Sequence, residues 1–209
     1  MKSVFDPSQQ QQDVASKIVI ALERLCQAFR VLLWEEAKVH HLSPIQIQFL
    51  VYLLYHSPEL CRISQLAREF GLTQATVSDA ISVLEEKGLV SREPWHEDRR
   101  VSTLKLTIEG QKLAIKLSTW ADGISQCISS FSPEEQEAIL LFLIRLIESL
   151  QQAGIISIAR MCITCRFFQP NVAPDSDSPH YCRLINKPLA NSELRIDCPD
   201  HEPALIPKG

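Results

Sequence analysis

Four cysteines stand near the end of the chain in the spacing C-x2-C-x16-C-x15-C, at Cys162, Cys165, Cys182 and Cys198. Thiolates are soft ligands that suit zinc and iron–sulfur clusters. Three readings follow: four unrelated buried thiols, a structural zinc site with four thiolates, or an iron–sulfur cluster. The chain has seven cysteines, an odd number that fits metal or thiol chemistry better than a disulfide framework. His180 and His201 could substitute as ligands, but surface or supporting roles suit them better. Cys26, Cys61 and Cys127 lie in or beside helical stretches and read as small buried hydrophobes.

The segment that holds the four thiols differs from what precedes it. From Ile155 helical periodicity stops, and Pro170, Pro174, Pro179, Pro188 and Pro199 fall within 30 residues. So short a stretch builds little core of its own and needs a staple. The expected organisation is a domain over residues 1–153 and a small, irregular, metal-stapled module over 154–209.

Upstream, apolar residues at helical spacing predict a long helix from Asp13 to Val39, with Val14, Ile18, Leu22, Leu25, Phe29, Leu32 and Leu33 on one stripe. Ser43 and Pro44 suit the start of a second helix reaching about His56. "SQLAREF" then ends at Gly71, a helix-terminating glycine. Thr73 can cap the next helix, Gln74 to Lys87. There Val77, Ile81 and Leu84 point inward, while Gln74, Thr76, Ser78, Asp79 and Ser82 point outward. Two short helices around a turn make a helix-turn-helix. Two extended runs, Leu89 to Glu93 and Val101 to Leu106, flank the polar tip "PWHEDRR" and predict a β-hairpin wing. Helical pattern returns from Thr107. Ser132 and Glu135 form a capping box for a last helix, apolar nearly all round, which must be buried in the domain or against a second subunit. The fold class is mainly α with one small β-hairpin.

The order long helix, helix, helix-turn-helix, wing, two closing helices resembles the MarR family of transcriptional regulators. The stretches "LSPIQIQFLVYL", "ISQLAREFGLTQATVSDAISVLEEKGLV" and "EDRRVSTLKLTIEG" carry the likeness, over roughly residues 10 to 152. It implies a homodimer with the terminal helices at the interface, and double-stranded DNA, a pseudo-palindromic operator, as partner. It also implies that Arg100 reaches the minor groove and that Asp98 braces the hairpin.

A helix in the major groove meets base edges with distinct donor and acceptor patterns. Gln74 can bond adenine in a bidentate way. Thr73, Thr76, Ser78 and Ser82 can reach bases or phosphates, and Asp79 can accept from a cytosine amino group or orient a neighbour. Arg92, Arg99 and Arg100 supply positive charge on the wing. Trp95 is expected to pack under it. The chain's net charge is −4, so any basic surface is local.

A second resemblance concerns the tail. "CITCRFFQPN", "YCRLINKPL" and a distant cysteine are similar to the cluster-binding stretch of high-potential iron–sulfur proteins. That family closes on Gly-Trp-Cys, whereas this chain reads "RIDCPDH". The likeness puts an iron–sulfur cluster, 4Fe-4S by preference, ahead of Zn2+. Phe167 and Phe168 could shield it from water.

The expected function is a DNA-binding transcriptional regulator, a repressor by preference, whose thiol-held cluster senses redox state, oxygen or iron by moving the closing helices. One alternative is a regulator with a structural zinc tail and a small-molecule effector. Another is an electron-transfer or enzymatic module docked through the winged helix. Paired carboxylates, a nucleophile triad and a phosphate-binding glycine loop are absent from the sequence pattern, so it reads as non-enzymatic. The N-terminus lacks a signal-peptide core, which makes the expected location cytoplasmic.

Overall fold

The computed structural model describes residues 3–7, 13–95 and 102–204. Among these, α1 spans Val14–His40, α2 Pro44–Tyr55, α3 Ile63–Glu69 and α4 Gln74–Glu86. Strands β1 (Val90–Pro94) and β2 (Ser102–Leu106) pair as a two-stranded sheet. Helices α5 (Ile108–Leu117), α6 (Asp122–Ile128) and α7 (Pro133–Gln152) follow. Short strands β3 (Phe168–Gln169), β4 (His180–Cys182) and β5 (Lys187–Leu189) form an antiparallel sheet in chain order.

The chain divides into two compact units. One contains Met1–Tyr55, Ala80–Ser91 and Leu106–Ile124; the other contains His56–Asp79, Arg92–Lys105 and Ser125–Gly209. The expected 153/154 boundary follows a change of composition, whereas these units follow contacts and cut the chain elsewhere.

In the first unit α2 packs on both α1 and α5. Ile47, Phe49, Leu50 and Leu117 are fully buried. Asp13 caps α1 by accepting from the Ala15 and Ser16 N–H groups. Gly110 has a packing reason. A Cβ there would stand 1.8 Å from the Leu89 carbonyl oxygen, so only glycine lets α5 meet the backbone leading into β1. Thr107 holds the same junction: its hydroxyl donates to Gly88 O at 2.6 Å and accepts from Gly110 N at 3.0 Å. The helical pattern expected to run on from Thr107 breaks at residues 118–121. There the Ser118 and Thr119 hydroxyls donate to Ile115 O and Lys116 O, local bonds that compete with helix continuation.

In the second unit Ile144 of α7 is buried with Ala159, Met161, Leu189 and Leu194. The tail thus shares a core with α7 and is not a freestanding module. It is also less irregular than its sequence implied, because it contains the β3–β4–β5 sheet. Strands of two or three residues leave no period-2 pattern to read, and Pro188 sits on β5, an edge strand where a missing N–H is tolerated. The capping box at Ser132 and Glu135 starts α7 as expected. Burial of α7 is one-sided: Ile144 is 2% exposed while Ile139 and Phe142 are each 44% exposed. No helix among the described residues is long and apolar enough to cross a membrane.

Candidate nucleic-acid interface and cysteine module

Helix α3, the turn with Gly71 at φ +62° and helix α4 make the expected helix-turn-helix. Val77, Ile81 and Leu84 are fully buried, which fixes how α4 is rotated. Gln74, Thr76 and Asp79 are exposed, and Ser78 and Ser82 are half-buried. Thr73 accepts from the Thr76 N–H at 3.1 Å, and the two hydroxyls lie 2.9 Å apart. Thr73 therefore caps α4. Reading polar residues alone missed Ala75 and Val83. Both are exposed on the face opposite the buried stripe, and apolar side chains there can meet thymine methyl groups.

The wing is anchored by main chain. Leu104 N donates to Cys61 O at 2.7 Å, and the Thr103 hydroxyl bonds Pro58 O and Cys61 O. Trp95 is 7% exposed, with the Arg62 guanidinium 5.5 Å from its ring centroid, so it packs as expected. Arg92 is exposed on β1. Asp98, Arg99 and Arg100 lie outside the described residues.

In the tail, Cys162–Thr164 form a 3-10 turn, and Cys165 N donates to Cys162 O at 3.0 Å. Cys182 pairs with Phe168 across β3 and β4. Cys162, Cys182 and Phe168 all pack against the Ile144 core. Burial pushes the Cys162 thiol up, the Arg195 N–H opposes that, and charge on Cys198, Cys182 and Cys165 pushes it up again. The four sulfurs therefore share one electrostatic neighbourhood. Arg195 directs its N–H at Cys162 Sγ (3.2 Å) and its guanidinium at Cys198 Sγ (3.8 Å). All four cysteines are half-buried free thiols. No group of three or more His, Cys, Asp or Glu among the described residues is gathered to hold a metal ion. What suits a thiolate-ligated group is the chemistry of the donor set, four free thiols with Arg195 donors aimed at two of them.

Neither histidine is placed as a ligand. The His180 ring bonds Asn171 N–H through Nδ1 at 3.2 Å and Asn191 Oδ1 through Nε2 at 2.9 Å. His201 Nε2 meets the Thr164 hydroxyl at 3.0 Å. Phe168, one of the two aromatics expected to shield a cluster, is half-buried against the Ile144 core, whereas Phe167 lies under Arg166, whose guanidinium is 4.6 Å from the ring centroid. Of the other thiols only Cys61 is buried; Cys26 and Cys127 are exposed. Helical position alone did not reveal which way those two faced.

Sequence reading also missed a polar junction. Arg160 donates to Glu69 of α3 at 2.8 Å and to Asp197 at 2.6 Å, and His56 meets Asp197 at 2.8 Å. Burial pushes the Asp197 carboxyl up, but hydrogen bonds from Arg160 and His56 outweigh it and hold it below its ordinary value. These partners are 37 to 141 residues apart, so no local pattern could show them.

Residues 46–102 match the family model of the MarR family. The chain carries the MarR winged-helix fold. The structure of Staphylococcus aureus MepR in its DNA-binding conformation is similar with a TM-score of 0.58 at 24% identity, over 64% of this chain and 98% of that one. The S. aureus MepR–DNA complex gives 0.56 at 24% identity, over 63% and 97%. A MarR transcriptional regulator from Methanosarcina mazei Go1 gives 0.56 at 22%, over 65% and 97%. About a third of this chain lies outside each match.

Proposed function

We propose that the protein is a homodimeric, sequence-specific DNA-binding transcriptional regulator whose four-cysteine module binds an iron–sulfur cluster and adjusts DNA binding to redox state, oxygen or iron. One observation carries the DNA reading. The buried stripe Val77, Ile81 and Leu84 turns the exposed Gln74, Thr76 and Asp79 outward on the second helix of a helix-turn-helix. MepR, a similar fold, has been seen on DNA. The exposed Ile139 and Phe142 of α7 support a second copy as their cover.

Four thiols in one neighbourhood support the metal reading. A tetrahedral zinc with bonds of about 2.3 Å needs sulfurs roughly 3.8 Å apart. Among the described residues no group of thiols is gathered in that way, and the preference for a cluster rests on the likeness of "CITCRFFQPN" and "YCRLINKPL" to the cluster-binding stretch of high-potential iron–sulfur proteins. When bound, such a cluster supplies one-electron redox chemistry and sensitivity to oxygen. Cys162, Cys165, Cys182 and Cys198 would hold it, Arg195 would stabilise two of the thiolates, and Phe168 would keep water from one side.

Selection of duplexes from a random pool by the full-length protein, followed by footprinting, tests the DNA reading. The expected result is a pseudo-palindrome with half-sites about 34 Å apart. Affinity should fall steeply with salt, as phosphate contacts require. Recovery of no preferred sequence would overturn it.

A further inference from the structure

The proposed route from cysteine module to DNA ran through the closing helices, to which the module is covalently joined. The structure offers a shorter one. Arg160 stands two residues before Cys162, and its carbonyl accepts the Cys198 N–H at 2.8 Å. Its side chain is only 10% exposed. A guanidinium that keeps its charge at any accessible pH is here neutralised by Glu69 and Asp197 together. Asp197 directly precedes Cys198, and its second oxygen is held by His56. Glu69 is the last residue of α3, and the turn after it leads into α4. One end of this junction is built from the neighbours of two thiols, the other from the helix that sets up the recognition helix.

We propose that Arg160 is a positioning residue that couples the state of the four thiols to helix α3. It does so through Glu69 on one side and the Asp197–His56 pair on the other. This rests on the reading of the thiols as a metal-binding site. Drawing Cys162 and Cys198 onto a bound group shifts the Arg160 carbonyl and Asp197 together, because each is bonded or adjacent to one of those cysteines. The guanidinium cannot give up both carboxylates without leaving a nearly buried charge unpaired, so α3 follows it. A surface ion pair would not transmit in this way, since it reforms with water at little cost. Burial of Arg160 makes the junction stiff.

The test uses the full-length protein reconstituted anaerobically with iron(II) and sulfide, and the same protein stripped with an iron chelator. Hydrogen exchange of the Ile63–Glu69 amides is read in both forms, alongside affinity for a selected duplex. Wild type should lose α3 protection at least tenfold on stripping. Glu69→Gln and His56→Asn lie outside the tail and leave its thiols in place. They should keep wild-type iron content and visible absorbance while the change in α3 protection shrinks below threefold. Arg160→Ala should do the same, with partial rescue by Arg160→Lys. If α3 protection is equal in loaded and stripped wild type, the inference is wrong, whatever DNA affinity does. A wild-type-sized response in both Glu69→Gln and Arg160→Ala would also overturn it. If α3 responds while DNA affinity does not, the coupling stands and the regulatory reading of the module fails.

Discussion

Among the seven cysteines, environment rather than sequence neighbourhood sorts the reactive from the inert. Cys61 is 3% exposed, and burial first, then the charge of Glu59, pushes its thiol up to about 11. The thiolate is the reactive form, so at pH 8 only about one molecule in a thousand is ionised there. Native protein treated with iodoacetamide at pH 8 should leave Cys61 unmodified by mass spectrometry, and unfolding in guanidinium should expose it to full labelling. Rapid native labelling of Cys61 would mean that the Thr103 and Leu104 bonds to its carbonyl do not hold the wing in place. The sequence identified Cys61 as buried but assigned the same fate to Cys26 and Cys127, which are exposed. One thiol on a helix carries no information about which face is covered. Three residues at i, i+4 and i+7 do, and for Val77, Ile81 and Leu84 the inward assignment holds.

At the scale of elements, junctions carry much of the specificity. Gly→Ala inside an exposed helix ordinarily gains about 1 kcal/mol. At Gly110 the added methyl meets the Leu89 carbonyl, so Gly110→Ala should instead lose about 1–3 kcal/mol in urea unfolding, as an overpacked contact does. An unchanged or higher midpoint would show that α5 and the segment before β1 separate freely. On α4, Gln74→Ala should cost about 1–3 kcal/mol of discrimination at one base pair and leave other positions as they were. Quantitative binding to a panel of single-substituted duplexes reads this, and a uniform loss across the panel would make Gln74 a phosphate contact. The helix-turn-helix, the paired strands and the capping box were all legible, because periodicity and cap chemistry are local. The break between α5 and α6 was not, since it depends on Ser118 and Thr119 turning their hydroxyls back on the chain. The β3–β4–β5 sheet was invisible for a related reason: its strands are shorter than the pattern that would reveal them.

For the whole molecule, the apolar surface left on α7 and the thiol cluster beside its core make two demands. The first is a partner for Ile139 and Phe142. Phe142→Asp should weaken self-association at least tenfold in analytical ultracentrifugation, since a carboxylate would have to be desolvated in the interface. A dimer of unchanged strength would place the interface elsewhere. The second demand is a reason for four half-buried thiols to share one neighbourhood in a chain that carries a winged-helix fold. Periodicity showed where the tail begins, and spacing singled out four of its thiols. Neither could show that the tail buries Ile144 or grips Glu69, because both contacts join residues distant in sequence. The most direct measurement is a fluorescence-anisotropy titration of one selected duplex. The protein is purified without oxygen, and the titration is repeated after its iron is removed. The account predicts tight binding in one state and at least tenfold weaker binding in the other. Equal affinity in both states would contradict it.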